Sequence, residues 1–308
     1  MTKVSIIIPS YNHSRFLMDR LESISNQTFT QWEAIIIDDK SSDDSVNVIK
    51  KFIEKNPEFK VKYFIINKSN SGSGYNSWKK GIELAETEYI WIAETDDYSD
   101  IYFLEEQINA LENNENSNLS FCTSEYVSEH KINLYDSANR TKDLAVEENK
   151  IGVFSADVFM KKMPFHSYIT NGSSVVFRKP KIEILGEIFN NRLCSDIFLW
   201  SFLVQNSSFV FINKKLNFFR RHEGSTSSHL QNHKLESVYH ELAKYLNYFN
   251  QTKKEVEFLE HYIKHYIWAH KKDFLNTSSL QKLQSNKMLK RLYFYKLTKY
   301  AISKLTKR

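Results

Sequence analysis

The chain has 308 residues, 41% of them apolar and 26% charged, with 22 Phe and 17 Tyr, a composition that folds and excludes wholesale disorder. At this length folding buries roughly 75% of the unfolded chain's surface, so a core needs no crosslinks, and the two cysteines, Cys122 and Cys194, fit a reducing compartment better than a disulfide framework. Charge is uneven: residues 1–228 hold 26 Lys and Arg against 31 Asp and Glu, a net −5, whereas residues 229–308 hold 16 against 6, a net +10. Any anionic ligand of the acidic front part therefore needs local amides, a metal or a few placed cations.

Met1-Thr2-Lys3 leads straight into Val4-Ser5-Ile6-Ile7-Ile8 and is broken by Pro9, too short an apolar stretch for a signal peptide. No run approaches the ~20 apolar residues of a membrane span, so secretion and membrane insertion are not expected. Val4 to Ile8 reads as a buried strand, and Phe16, Leu17, Leu21 and Ile24 set a helix over 14–26. Ala34 to Ile37 is a second strand; Ser41-Ser42-Asp43 offers N-caps for a helix through Val46, Ile49, Phe52 and Ile53. Val61 to Ile66 makes a third strand, Tyr75 to Ala85 a helix and Tyr89 to Ala93 a fourth strand. A helix from Ile101 to Leu111 and a strand from Leu119 to Thr123 follow. Short apolar runs alternating with amphipathic stretches predict an α/β fold with a mostly parallel sheet.

Between about 125 and 228 the pattern loosens. The polar stretch 136–150 reads as a mobile loop, Ser173 to Arg178 as a strand, Cys194 to Val204 as a helix, and Phe209 to Phe219 as two short strands or a hairpin. From His229 onward apolar residues recur at helical spacing without Gly or Pro. The organisation expected is a domain over 1–228, with halves 1–125 and 126–228, and a helical basic extension over 229–308.

In an open parallel sheet, ligands bind beyond the carboxyl ends of the strands, where loops and helix N-termini present free amides. Four polar clusters fall there: Pro9-Ser10-Tyr11-Asn12, Asp38-Asp39, Ser71-Gly72-Ser73-Gly74 and Thr95-Asp96-Asp97. Each alone reads equally well as an ordinary turn or as part of a site; together on one rim they suit a nucleoside diphosphate ligand. Tyr11 would lie against a base, Asp39 would accept from an imide N–H, and Asp96 and Asp97 offer oxygen ligands for a hard divalent cation. Asp100 is better placed to cap the following helix, which leaves the Asp96-Asp97 pair unexplained by capping.

These residues carry a resemblance. Val4-Ser5-Ile6-Ile7-Ile8-Pro9-Ser10-Tyr11-Asn12, Ser25-Asn26-Gln27-Thr28, Ile37-Asp38-Asp39 with Ser41, Asp43 and Ser45, and Trp91-Ile92-Ala93-Glu94-Thr95-Asp96-Asp97 are similar to the motifs of glycosyltransferase family 2, whose fold is GT-A. Arg192-Leu193-Cys194-Ser195-Asp196 resembles the family's acceptor-side acidic motif, and Arg220-Arg221-His222-Glu223-Gly224-Ser225 its Arg-x-His loop. The resemblance implies that Asp39 reads the base with Pro9 and Tyr11 lining its pocket, that Asp96 approaches the ribose, and that Asp97 binds Mn2+ or Mg2+. It further implies that Asp196 is the catalytic base of an inverting transfer, that His222 coordinates the metal or donates to the diphosphate, and that Arg220 supplies a second phosphate contact. Ser195 stands where relatives often carry an acid, so one carboxylate must suffice. Where many relatives carry an Ala-Arg-Asn run this chain has Asn76-Ser77-Trp78-Lys79-Lys80, and Gly72-x-Gly74 lacks the third glycine of a dinucleotide fingerprint.

From Lys287 to Arg308 eight basic residues occur with no acid, interleaved with Leu, Tyr and Phe. This segment either lies in an anionic membrane interface or packs as a helix on its own domain; no nucleic-acid recognition module accompanies it. The resulting expectation is a cytoplasmic enzyme, peripheral on the inner face of the membrane. It would move a sugar from a nucleotide-diphosphate donor, UDP in the first instance, to a glycan or lipid-linked glycan acceptor at the cell surface. The alternative is an inactive nucleotide-sugar-binding subunit of an assembly complex.

Overall fold

A computed structural model describes residues 2–223, 235–254 and isolated positions beyond, and its contacts divide the chain into two units, Met1–Glu223 and Gly224–Arg308. Ten strands among the described residues form one sheet. They are β1 (Val4–Ser10), β2 (Trp32–Asp38), β3 (Val61–Ile66), β4 (Tyr89–Ile92), β5 (Tyr98–Ser99), β6 (Ser117–Ser128), β7 (Asn133–Asp136), β8 (Ile151–Ser155), β9 (Val175–Arg178) and β10 (Ser208–Arg221). Their order is β3-β2-β1-β4-β9-β6-β10-β5, with β7 on β6 and β8 on β10. Strands β3, β2, β1 and β4 run parallel; β9 is antiparallel to both β4 and β6, and β6 and β10 run parallel to each other.

Both faces of β1, β2 and β4 are covered, which is why these strands read as mostly apolar runs, whereas β3 at the edge is only partly buried. On one face α1 (Ser14–Ser25), α2 (Ser45–Lys55) and α4 (Phe103–Glu112) bury Leu17, Leu21, Ile24, Ile49, Phe52, Leu104 and Ile108 against Ile6, Ile8, Ala34 and Ile36. α3 (Gly74–Leu84) packs on β1 and β2 on the other face. A Cβ at Gly81 would collide with the Ile7 side chain, so the missing side chain lets α3 sit this close. Next come the short helices α5 (Ala138–Thr141), α6 (Ala156–Lys162) and α7 (Leu185–Ile188), and then α8 (Ser195–Val204). Trp200 of α8 meets Trp78 of α3 at 6.0 Å between ring centroids.

Two local expectations change. Phe209 to Phe219 lies within one continuous strand, β10. The polar Asn213-Lys214-Lys215 step within it is absorbed by register shifts between Ile212 and Asn217 against β6. The stretch 136–150 is built rather than loose: it holds α5 and a 3-10 turn at Lys142–Leu144, with Thr141 and Leu144 buried. In the second unit, a helix α9 (Leu235–Tyr248) buries its Leu242, Tyr245 and Leu246 and is followed by a 3-10 turn at Thr252–Lys254. The basic tail from Lys287 lies outside the described residues apart from isolated positions. No described helix is long and apolar enough to cross a membrane.

The entrances of α1 and α2 share one carboxylate. Asp43 accepts from the Ser14 amide at 2.9 Å and the Ser45 amide at 3.0 Å, satisfying a first-turn donor of each helix. Burial raises its carboxyl, but the hydrogen bonds from Ser45 and Ser14 outweigh this and hold it below the usual 3.8. Its contribution is therefore complete above that pH and is lost as the pH falls through the lower, folded value. Asp43→Ala should destabilise the protein by about 1 kcal/mol near neutral pH, read by urea denaturation. The gap from wild type should close below pH 3.8; an unchanged gap in acid would contradict the capping role.

Candidate active site

The β1–α1 and β2–α2 loops are stitched together at the rim. Asp38, fully buried at the end of β2, accepts from Ser10 Oγ at 3.1 Å, Ser41 N at 2.9 Å and Ser41 Oγ at 2.6 Å. Asn12, in the left-handed region at φ 52°, donates its amide to Ser41 Oγ, and its side-chain oxygen accepts from the Ser42 amide at 2.7 Å. Asn12 thus fixes the loop while Tyr11 beside it is left 47% exposed. Asp39 is buried, and both its oxygens are engaged: by Asn67 Nδ2 at 2.8 Å, the Ser71 amide at 3.0 Å and Ser71 Oγ at 2.8 Å. Gly72 follows at φ 79°, its amide donating to Asn70. Asp39 therefore ties the β3–α3 loop to the end of β2.

The acidic segment after β4 is divided by its surroundings. Asp97 is almost wholly buried, accepting from the Arg220 amide at 3.0 Å and from Asn171 Nδ2 at 2.5 Å. Burial, then the neighbouring Asp96 charge, pushes its carboxyl up to about 7. Glu94 is driven well above its ordinary value by burial and by the charges of Asp96, Asp97 and Asp196. Burial also opposes charge on Asp96, but the hydrogen bond from His222 and the influence of His13 hold its carboxyl low. Asp96 is the carboxylate of this segment that keeps its charge.

Asp96 Oδ2 lies 3.1 Å from His222 Nε2, and His13 brings a third donor, so that one atom each of His13, Asp96 and His222 lies within 4.8 Å of the others. Two imidazoles and a carboxylate at this spacing fit a divalent cation. Asp97, the metal ligand that the resemblance implied, accepts here from the Arg220 amide and Asn171, and Asp96 faces the histidines. Arg220 is also turned inward. Its guanidinium pairs with Asp19 of α1 at 2.6 Å, over Phe16 and beside Tyr98, so it braces β10 against α1.

Asp196 stands on the first turn of α8 and accepts from Tyr75 Oη at 2.8 Å. Burial and the Asp196 charge push the Tyr75 hydroxyl well above its ordinary value, so it remains a donor. Ser195, where relatives often carry an acid, is buried and donates to the Asn191 carbonyl. Lys80 bonds to Asn67 and Lys79 pairs with Glu83, so both have partners within the fold. Sequence reasoning did not single out His13, Tyr75 or Glu94. His13 directly follows the Pro9–Asn12 cluster, and Tyr75 follows the Ser71–Gly74 cluster, so adjacency to the rim was the available signal. A separate cavity of about 630 Å³, lined by Asp100, Glu106, Asp136, Lys214 and Lys215 among others, includes none of these site residues.

The model of "Glycosyl transferase family 2" matches residues 5–167, more than half the chain. GlyG, a glycosyltransferase of Streptococcus pneumoniae, is 26% identical over 228 residues, covering 72% of each chain. An uncharacterized glycosyltransferase of Rickettsia conorii is 29% identical over 73% of this chain, which spans only 34% of that relative's length. Among solved structures, residues 1–349 of Staphylococcus aureus TarS in complex with UDP-GlcNAc superpose with a TM-score of 0.61 at 17% identity, covering 95% of this chain and 78% of that one. The mannosyltransferase PcManGT of Pyrobaculum calidifontis, in complex with GDP-Man and Mn2+, gives 0.55 at 14% identity, covering 81% and 64%. The fold is that of GT-A glycosyltransferases, and the chain belongs to glycosyl transferase family 2.

Proposed function

We propose that this enzyme is an inverting, cation-dependent glycosyltransferase that moves a sugar from a nucleoside diphosphate, UDP in the first instance, to a hydroxyl of a cell-surface glycan. The observation that carries the reading is Asp96 facing two imidazoles, with the Asp196–Tyr75 pair near enough to act on the neighbouring Glu94. Several relatives support the substrate class by name: a poly(ribitol-phosphate) beta-glucosyltransferase of Bacillus spizizenii, 34% identical over 98 residues, and a GalNAc(5)-diNAcBac-PP-undecaprenol beta-1,3-glucosyltransferase of Campylobacter jejuni, 33% identical over 97 residues. The TarS structures with UDP and UDP-GlcNAc support the donor class.

In this reading Tyr11 lies against the base, beside Pro9. Asp39 meets the base imide by exchanging one of its Ser71 contacts. Asp196 accepts the proton of the acceptor hydroxyl as that oxygen attacks the anomeric carbon, and the nucleoside diphosphate departs from the opposite face. Tyr75 holds the Asp196 carboxylate in place. Asp96 and His222 would hold a divalent cation, which when bound offsets the negative charge of the diphosphate. Asp97 takes an indirect part: through the Arg220 amide it fixes the end of β10, and so the position of His222. Glu94, whose carboxyl burial and the neighbouring carboxylates push well above its ordinary value, contributes less negative charge to the rim than a solvated glutamate would. A glycan acceptor then approaches from the Asp196 side, and the basic tail from 287 supplies the candidate contact with an anionic membrane surface.

Asp196→Asn should leave UDP affinity within about twofold of wild type and lower turnover by about 10³-fold, in the range of a lost general base. Tyr75→Phe should lower turnover about tenfold, again without loss of UDP binding. The assay is UDP release from UDP-sugars with Mn2+ and with EDTA. Unchanged turnover in Asp196→Asn would remove the base assignment. Separately, UDP with Mn2+ should raise the melting temperature of wild type, since a ligand held by the folded state alone stabilises it by about 2.7 kcal/mol at a hundred times its Kd. Asp96→Ala should abolish the Mn2+-dependent part of that rise. A full rise in Asp96→Ala would contradict the cation assignment.

A further inference from the structure

We infer that His13 is a third ligand, so that His13, Asp96 and His222 form a two-imidazole, one-carboxylate cation site that selects a first-row transition ion such as Mn2+ over Mg2+. The inference deepens the proposed cation-dependent reading of the rim and rests on it.

His13 stands just before α1, on the turn that follows Tyr11 and Asn12, and its amide is held by Ser45 Oγ at 3.2 Å. Its ring is oriented by Thr95, the residue before Asp96. His13 Nδ1 lies 2.9 Å from Thr95 Oγ1, and Thr95 Oγ1 donates to the Pro9 carbonyl at 3.1 Å. The hydroxyl has a single proton, already given to Pro9. Thr95 Oγ1 therefore accepts, and Nδ1 of His13 is the donor. In the neutral ring this leaves the lone pair on Nε2, as when a ligating imidazole is fixed by a hydrogen bond at its other nitrogen. The rings of His13 and His222 meet edge-on, 5.7 Å apart and at 88°. The same Thr95 that orients His13 thus precedes the carboxylate that faces His222.

The chemistry of the donors sets the choice of ion. Mg2+ prefers oxygen ligands in rigid octahedral geometry and keeps its waters, whereas imidazole nitrogen favours transition ions. Three protein donors leave the remaining positions of a six-coordinate ion for oxygens of a diphosphate.

The test uses the full chain with Mn2+ in the presence of UDP. Binding is titrated from the electron paramagnetic resonance signal of free Mn2+, and histidine nitrogens are counted from the 14N couplings of the bound ion. Wild type should couple to two imidazoles, and Mg2+ should displace Mn2+ only at an excess of about tenfold or more. His13→Gln should couple to one imidazole, bind Mn2+ about tenfold more weakly or worse, and lose discrimination against Mg2+, with circular dichroism unchanged. Should His13→Gln fail to fold, Thr95→Val keeps both rings: two nitrogens should remain, with Mn2+ affinity about tenfold lower. A single nitrogen in wild type, or unaltered affinity and selectivity in His13→Gln, would overturn the role of His13 and leave the Asp96–His222 cation site standing. No Mn2+ binding by wild type, with or without UDP, would overturn both.

Discussion

The rim depends on crowding carboxyls into little water against few positive charges. Glu94, Asp96 and Asp97 fall within one four-residue stretch just after β4, and the guanidinium of Arg20 of α1 is buried beside them. Arg20 is wholly shielded from solvent. It donates to the Glu94 carbonyl at 2.8 Å and to Ser173 Oγ at 3.2 Å, with its guanidinium over Trp91. Burial pulls its pKa down to about 10 against the opposing influence of Asp97, Asp96 and Glu94, which leaves it cationic at neutral pH. One such charge cannot neutralise three carboxylates. The segment resolves the conflict by sharing it out: Glu94 is driven toward its neutral form, Asp97 is held near 7 and hydrogen-bonded to backbone and amide, and Asp96 retains its charge between two histidines. The carboxylate that retains its charge is the one paired with an imidazole, His222 at 3.1 Å, since a charge buried without a partner is the costly state.

The sheet delivers these groups to one place. β1, β2 and β4 end together, and Asp38 and Asn12 bind the first two of their loops to one another. Strand β9 enters antiparallel between β4 and β6, which sets the Ser173 hydroxyl under Arg20 and Asn171 against Asp97. Strand β10 then runs the length of β6, and its end is pinned twice at Arg220, by the backbone to Asp97 and by the guanidinium to Asp19. His222 follows two residues later. A histidine remote in sequence is thereby set against the acidic segment by a long strand anchored at its last turn.

Much of this was legible in the sequence. The seven β and α segments through residue 92 have the periodicities of strands and amphipathic helices, and the polar residues at their ends mark the rim whatever the exact loop conformation. What was not legible concerns direction. Asp96 and Asp97 are adjacent and chemically identical, and only the loop's path decides that one meets His222 and the other the Arg220 amide. Arg220, a phosphate contact by resemblance, pairs in the fold with Asp19, 201 residues away, a partner that no local pattern reveals. Strand β10 continues through a polar Asn213-Lys214-Lys215 step because these side chains bond Val146, Glu106, Glu125 and Asp136 on neighbouring segments, partners that the local sequence does not show. A histidine next to a turn, as His13 is, has no periodic signature, and its meaning comes from Thr95 and His222.

The central claim is that this rim gathers a cation and a nucleoside diphosphate between Asp96, the histidines and the ends of β1 and β4. Its most direct test is a crystal grown with UDP and Mn2+, with the ion located by its anomalous scattering. The account predicts a Mn2+ peak bonded to Asp96 and His222, with the diphosphate against it and the uracil beside Tyr11. A peak on Asp97 without Asp96, or a nucleotide bound away from the ends of β1 and β4, would contradict it.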